Sequence, residues 1–220
     1  MFRIIALTGF IVVFAGIACH LLVSLPKRDD LFGKDRRCKI LDILRVPVYL
    51  LILLLLEQKL SIIGILRKLV YLLALLCFVV LVVNGFYPSL ILGKSISGYW
   101  IMLQTTAGGV FTVCIAVLAV MWAHNCRLDK NYLPWLTNLL RHQPANTAAP
   151  EKYELAQKLC FWLIVVLALP LILSITLSMF TLFGTEGQKF LFQLHRYSAL
   201  LLAFAAIVHT YLLIRTKMNK

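Results

Sequence analysis

Five stretches of this chain, at about 3–25, 69–92, 98–124, 157–183 and 190–214, are apolar and long enough to cross a bilayer as helices. Roughly 20 apolar residues, rising about 1.5 Å each, match a hydrocarbon core of about 30 Å. Inside that core no water satisfies a backbone N–H or C=O, so a spanning segment of this length bonds to itself as a helix. The expectation is an all-α integral membrane protein, with residues 1–220 forming one bundle of about five transmembrane helices. Composition agrees: 61% of residues are hydrophobic and 14% charged, where soluble domains sit near one half and one quarter.

A net charge of +13 on a soluble protein would suggest nucleic acid. Here the position of the charge decides. Segment 26–68 carries Lys27, Arg28, Lys34, Arg36, Arg37, Lys39, Arg45, Lys59, Arg67 and Lys68, and segment 125–156 carries Arg127, Lys130, Arg141 and Lys152. Arg215, Lys217 and Lys220 follow the last span. Lysine and arginine concentrate in cytoplasmic loops, so the amino terminus is expected outside and the carboxyl terminus in the cytoplasm. The positive charge then serves topology and attraction to anionic lipid, with no nucleic-acid partner.

Segment 26–68 is the irregular part. "VPVYLLILLLL" (46–56) is eleven residues long and bounded by Arg45 and Glu57, which suits an interfacial or re-entrant helix near 40–57 better than a crossing. "FAGIACHLL" offers a small-x-small site before Cys19, but the run exceeds a usual signal core, so a retained helix is expected. Six cysteines include no C-x-x-C or C-x-x-C-H arrangement, against a disulfide framework, a zinc ribbon or a covalently attached c-type haem. Pro88 and Pro170 fall within spans and should kink them.

The chemistry lies in the histidines. His195 and His209 share the last span, fourteen positions apart. That spacing turns a helix by about 1,400°, leaving the two about 40° apart in direction and about 21 Å apart along the axis. One helix can thus offer an imidazole near each membrane face, an arrangement suited to two stacked haems. Ala199, Leu202 and Ala206 lie between them on the same face. The bland alternative is two histidines hydrogen-bonded to neighbouring helices.

Depth selects partners. His209 precedes Arg215 by six residues and His20 precedes Lys27 by seven, so His20 with His209 is the expected inner pair. Gly9 and Gly16 lie on the face of His20 and leave room beside it. His124, in "WAHNCR", competes for ligation or a quinone contact, or sits solvated at the interface. His142 falls in a polar loop. At the depth of His195 the third span offers Gln104, about 200° from His124 on its helix. Three accounts of His195 stay open: a haem with five ligands or with Gln104 or Met102 as an unusual sixth, a hydrogen bond to Gln104, or a site completed by another subunit. Arg196 either neutralises a haem propionate or snorkels to headgroups.

"HRYSALLLAFAAIVHTYLLIRTK" resembles the last helix of the membrane cytochrome b subunits of formate dehydrogenase N and nickel-iron hydrogenases, a superfamily that includes the smaller membrane subunit of respiratory nitrate reductase. The first-span position of His20 is similar too, and "SGYWIMLQTTAGGVF" in outline. The resemblance implies a bacterial cytoplasmic-membrane subunit that binds haem b and joins a redox partner to the quinone pool. Carried over, the ligands fall on His195, His209 and His20. The fourth falls near Gln104, where the family's histidine is absent. The partner, an iron-sulfur or multihaem subunit, would carry the substrate chemistry, with His124, Asn125 and His209 near the quinone. A ferric-reductase-like transmembrane oxidoreductase and a haem-free scaffold or transport subunit are the alternatives.

Overall fold

A computed structural model describes residues 1–23, 62–93, 96–127, 154–180 and 183–218. Among them the chain forms five long helices: α1 (Phe2–Val23), α2 (Ile62–Phe86), α3 (Tyr99–Ala123), α4 (Glu154–Ser178) and α5 (Thr185–Met218). All five are long and apolar enough to cross a membrane, and the described residues contain no strand. The expected all-α membrane bundle is the observed architecture. The interfacial helix near 40–57, His142 and most of the two basic segments lie outside the described residues.

Helix ends and apolar runs do not coincide: α4 starts before the run 157–183 and stops at Ser178, with Met179 and Phe180 in a turn and a bend, whereas other helices overrun. α2 begins at Ile62 rather than near 69, taking Arg67 and Lys68 into its first turns, and α5 runs from Thr185 to Met218 rather than 190–214. The physical reason is that helical hydrogen bonding continues past the hydrocarbon boundary, while hydropathy ends there. At the start of α5, for example, Lys189 pairs with Glu186 at 2.7 Å.

After α2 the chain widens into a π-helical turn, Tyr87–Leu92, with Pro88 in its first turn. Proline has no N–H to give to the α-helical ladder, so the turn changes where the ladder stops. Gly93 (φ 65°) then reverses the chain, and Gly98 (φ 61°) leads into α3. Both occupy the left-handed region, which a side chain resists.

Two antiparallel pairs build the bundle: α4 with α5, the most extensively packed, and α2 with α3. They meet where Cys77, Phe111, Ala168 and Leu202, one from each helix, form a buried cluster. Cys77 and Cys114 are buried free thiols, acting as small apolar residues. α1 lies to one side, on α5 and the π-helical turn. Its Phe2 and Ala6 are buried with Leu200, flanked by Phe10, Phe86, Tyr197 and Phe204.

The outward surface is apolar. Ile4, Ile11, Leu69, Val120, Leu163 and Leu169 all stand exposed, as lipid-facing side chains do. Tyr87, Tyr99 and Trp100 stand exposed near the Arg3 end. At the opposite end Tyr71, Trp122 and Phe161 form a chain of ring contacts, 5.7 Å and 6.4 Å between centroids. Aromatic belts of this kind mark the two interfaces of a membrane protein.

Candidate functional site

The candidate site is the face of α5 that carries His195, Leu202 and His209. Seven-residue steps turn a helix about 20° short of two full turns, so the three point the same way. Leu202 settles which way that is: it is 2% exposed, in the cluster joining all four paired helices. The face therefore looks into the bundle.

His195 meets α4. Its Nδ1 lies 3.2 Å from the Leu171 carbonyl oxygen and 3.3 Å from Ser174 Oγ. The Ser174 hydroxyl itself donates to the same carbonyl at 2.9 Å. A carbonyl only accepts, so Nδ1 carries the proton and Nε2 the lone pair. Ser174 is 1% exposed, the most buried polar side chain described. Antiparallel pairing of α4 and α5 puts this corner together.

His209 occupies the same face nearer the His20 end. Its Nδ1 is buried and meets no hydrogen-bond partner among the described residues. A neighbouring tie, Gln157 Nε2 donating to the Leu212 carbonyl at 3.2 Å, locks α4 to α5 at this depth.

His20 meets a different face of α5. Tyr197, Leu200, Phe204, Val208 and Tyr211 form the stripe toward α1, and His20 Nδ1 is hydrogen-bonded to the Tyr211 hydroxyl. The two rings cross edge-on, 5.7 Å between centroids. Tyr211 and His209 are two positions apart, or about 200° around the helix. Matching depth thus placed His20 beside the correct turn of α5, but the structure seats it against Tyr211 and turns His209 inward. The reason is the azimuth of α1, set by its packing at the other end. A β-carbon on Gly9 would lie 2.5 Å from Phe204 Cζ, so the helices touch there through the bare backbone. Gly16, with nothing among the described residues within 4 Å of such an atom, borders an open apolar groove of about 340 Å³ with Val13, Ile17, His20, Val208 and Tyr211. Of the two glycines expected to leave space beside His20, one packs on a ring and the other lines this groove.

Gln104 serves another helix. Its Oε1 accepts from Asn84 Nδ2 at 3.0 Å, and Asn84 also donates to the Trp100 carbonyl at 2.8 Å. Asn84 is 6% exposed, and the pair joins α2 to α3. His195 is bonded to α4 instead of Gln104. Met102 is 69% exposed, on the outer side of α3. Arg196 is part-buried: its guanidinium donates to Ser89 Oγ at 3.2 Å and lies 4.0 Å from the centre of the Phe2 ring. It thereby ties α5 to α1 and the π-helical turn. His124 caps the end of α3, exposed together with Asn125.

Three residues of these networks escaped sequence reasoning. Asn84 was visible as an isolated amide within an apolar span, the usual signal of a buried polar role. Ser174 and Tyr211 carried no signal, because serine and tyrosine are common in spans. Among the described residues no group of three or more metal-type side chains converges. Comparison with protein-family models and with curated proteins finds no match for this chain.

Proposed function

We propose that this chain is a haem b-binding membrane subunit, passing electrons between a partner redox subunit and membrane quinone. The observation that carries the reading is the inward face of α5. It bears two partly buried imidazoles about 21 Å apart along the axis, His195 with Nδ1 on a backbone carbonyl and His209 with Nδ1 unpartnered among the described residues.

The donor chemistry fits axial ligation. Metal-ligating histidines usually give their second ring N–H to a carbonyl or carboxylate, which is the state of His195. The buried Nδ1 of His209, without a hydrogen-bond partner among the described residues, leaves that ring nitrogen open to a further partner, since an unmet buried polar atom is costly. His20 fits through its place beside the open apolar groove, with Gly16 keeping that wall low. His20 and His209 address different sides of α5, so ligation of one iron by both would require α1 to shift on α5. Bound haem b would supply reversible one-electron transfer.

The protein's own groups would hold and insulate that chemistry. His195 and His209 would fix two positions at different depths, and Leu202 between them keeps water out. Arg196 offers a positive charge beside the His195 level. His124 and Asn125, exposed at the His20 end, would be the contacts open to a quinone headgroup. The basic segments would face the bacterial cytoplasm, and an iron-sulfur or multihaem partner would exchange electrons with this subunit.

The test is the reduced-minus-oxidised spectrum of the purified membrane protein, with pyridine haemochrome quantitation. A b-type band is expected, diminished by His209→Ala and by His195→Ala. Absence of a b-type band overturns the proposal in favour of a scaffold or transport subunit. Retention of all haem in His20→Ala removes α1 from the ligand set.

A further inference from the structure

Nothing in the spacing of the histidines says which nitrogen of His195 is available for chemistry. The α4 contacts decide it. If Nδ1 carried the lone pair, that lone pair would face the Leu171 carbonyl oxygen at 3.2 Å, two acceptors pressed together with no proton between them. With the proton on Nδ1, one N–H is shared between the Leu171 oxygen and Ser174 Oγ, 3.3 Å away. The Ser174 hydrogen is already committed to Leu171 at 2.9 Å, so its oxygen presents a lone pair to the ring. Every donor in the triad then has an acceptor, as buried groups require.

We propose that Leu171 and Ser174 form a built acceptor pair that holds His195 as the Nδ1–H tautomer, assigning Nε2 as its ligating nitrogen. Ser174 is a positioning residue, acting on the cofactor only through His195. This inference rests on the haem reading above and deepens it. A hydrogen bond from the ligand's second nitrogen makes the imidazole more basic. A more basic ligand stabilises the oxidised iron, so Ser174 holds the potential of this centre down. Burial strengthens the effect, since Ser174 is 1% exposed.

Two measurements on the full-length protein in lipid test this. In the dithionite-reduced, 15N-histidine-labelled protein, the His195 ring, assigned by its loss in His195→Gln, should show a protonated Nδ1 and no proton on Nε2. Potentiometric titration of Ser174→Ala should move one b-type component to higher potential and leave any second component in place. Ser174→Thr, which keeps the hydroxyl, should move it back toward wild type. A protonated Nε2, or a Ser174→Ala titration superimposable on wild type, overturns the inference while the haem reading stands. A b-type spectrum unaffected by His195→Gln also overturns it. An Nδ1–H ring in a protein with no b-type signal overturns the proposed function and the ligand role of Nε2 with it.

Discussion

Gly9 and Gly16 lie seven residues apart on α1, and the structure predicts opposite outcomes when each becomes alanine. At Gly9 the new methyl would lie 2.5 Å from Cζ and 2.8 Å from Cε2 of Phe204, about 1 Å inside ordinary carbon contact at 3.5–4.0 Å. The ring cannot simply swing aside, because Phe10 packs edge-on against it with centroids 5.0 Å apart. Overpacking of this kind costs about 1–3 kcal/mol. Replacing glycine by alanine in a helix returns up to about 1 kcal/mol. The net for Gly9→Ala is therefore a loss of about 0–2 kcal/mol, centred near 1 kcal/mol or about fivefold in the folding equilibrium. At Gly16 nothing lies within 4 Å of the new atom, so only the helical gain remains. Equilibrium unfolding in mixed micelles, followed by tryptophan fluorescence, should rank Gly16→Ala above wild type and Gly9→Ala below it. Phe204→Leu, which removes the ring, should abolish the penalty in the double variant. Equal stability of the two alanine variants would refute the packing of α1 on α5 described here. Under the haem reading, Gly16→Ala should also lower haem content, because it narrows the groove beside His20.

Two further perturbations follow from the polar ties. Asn84→Ala removes two hydrogen bonds from a span, where interhelical bonds average about 0.6 kcal/mol each. The expected loss is about 1–2 kcal/mol in the same unfolding assay, and a curve superimposable on wild type would contradict the α2–α3 pairing. Arg196→Met keeps most of the stem but loses the Ser89 bond and the charge over Phe2, worth about 1–2 kcal/mol together. Protease cleavage of α1 in detergent should quicken in that variant, and unchanged cleavage would show that Arg196 does not anchor it.

Much of the architecture was legible in the residues, because a bilayer leaves few choices. Hydropathy alone located all five helices but not their ends: it missed the polar start of α5 and ran the fourth span past Ser178. Within a helix, direction was legible as well: the pitch that puts His195 and His209 on one side holds in any packing. Gln104 shows where such reading stops. Depth placed it opposite His195, but its amide is taken by Asn84, one helix away.

What the sequence determined by itself was the number and approximate placement of the helices, the basic segments between them, and the relative bearings of residues within each. These depend on hydrocarbon thickness and helical pitch, which are the same for every chain. Only the tertiary structure decided how one helix is rotated against the next, because that depends on which side chains meet. Phe204 against the bare backbone of Gly9 sets α1 so that His20 faces Tyr211. Leu202 in the four-helix cluster turns His209 inward, and Ser174 with Leu171 selects the nitrogen that His195 presents.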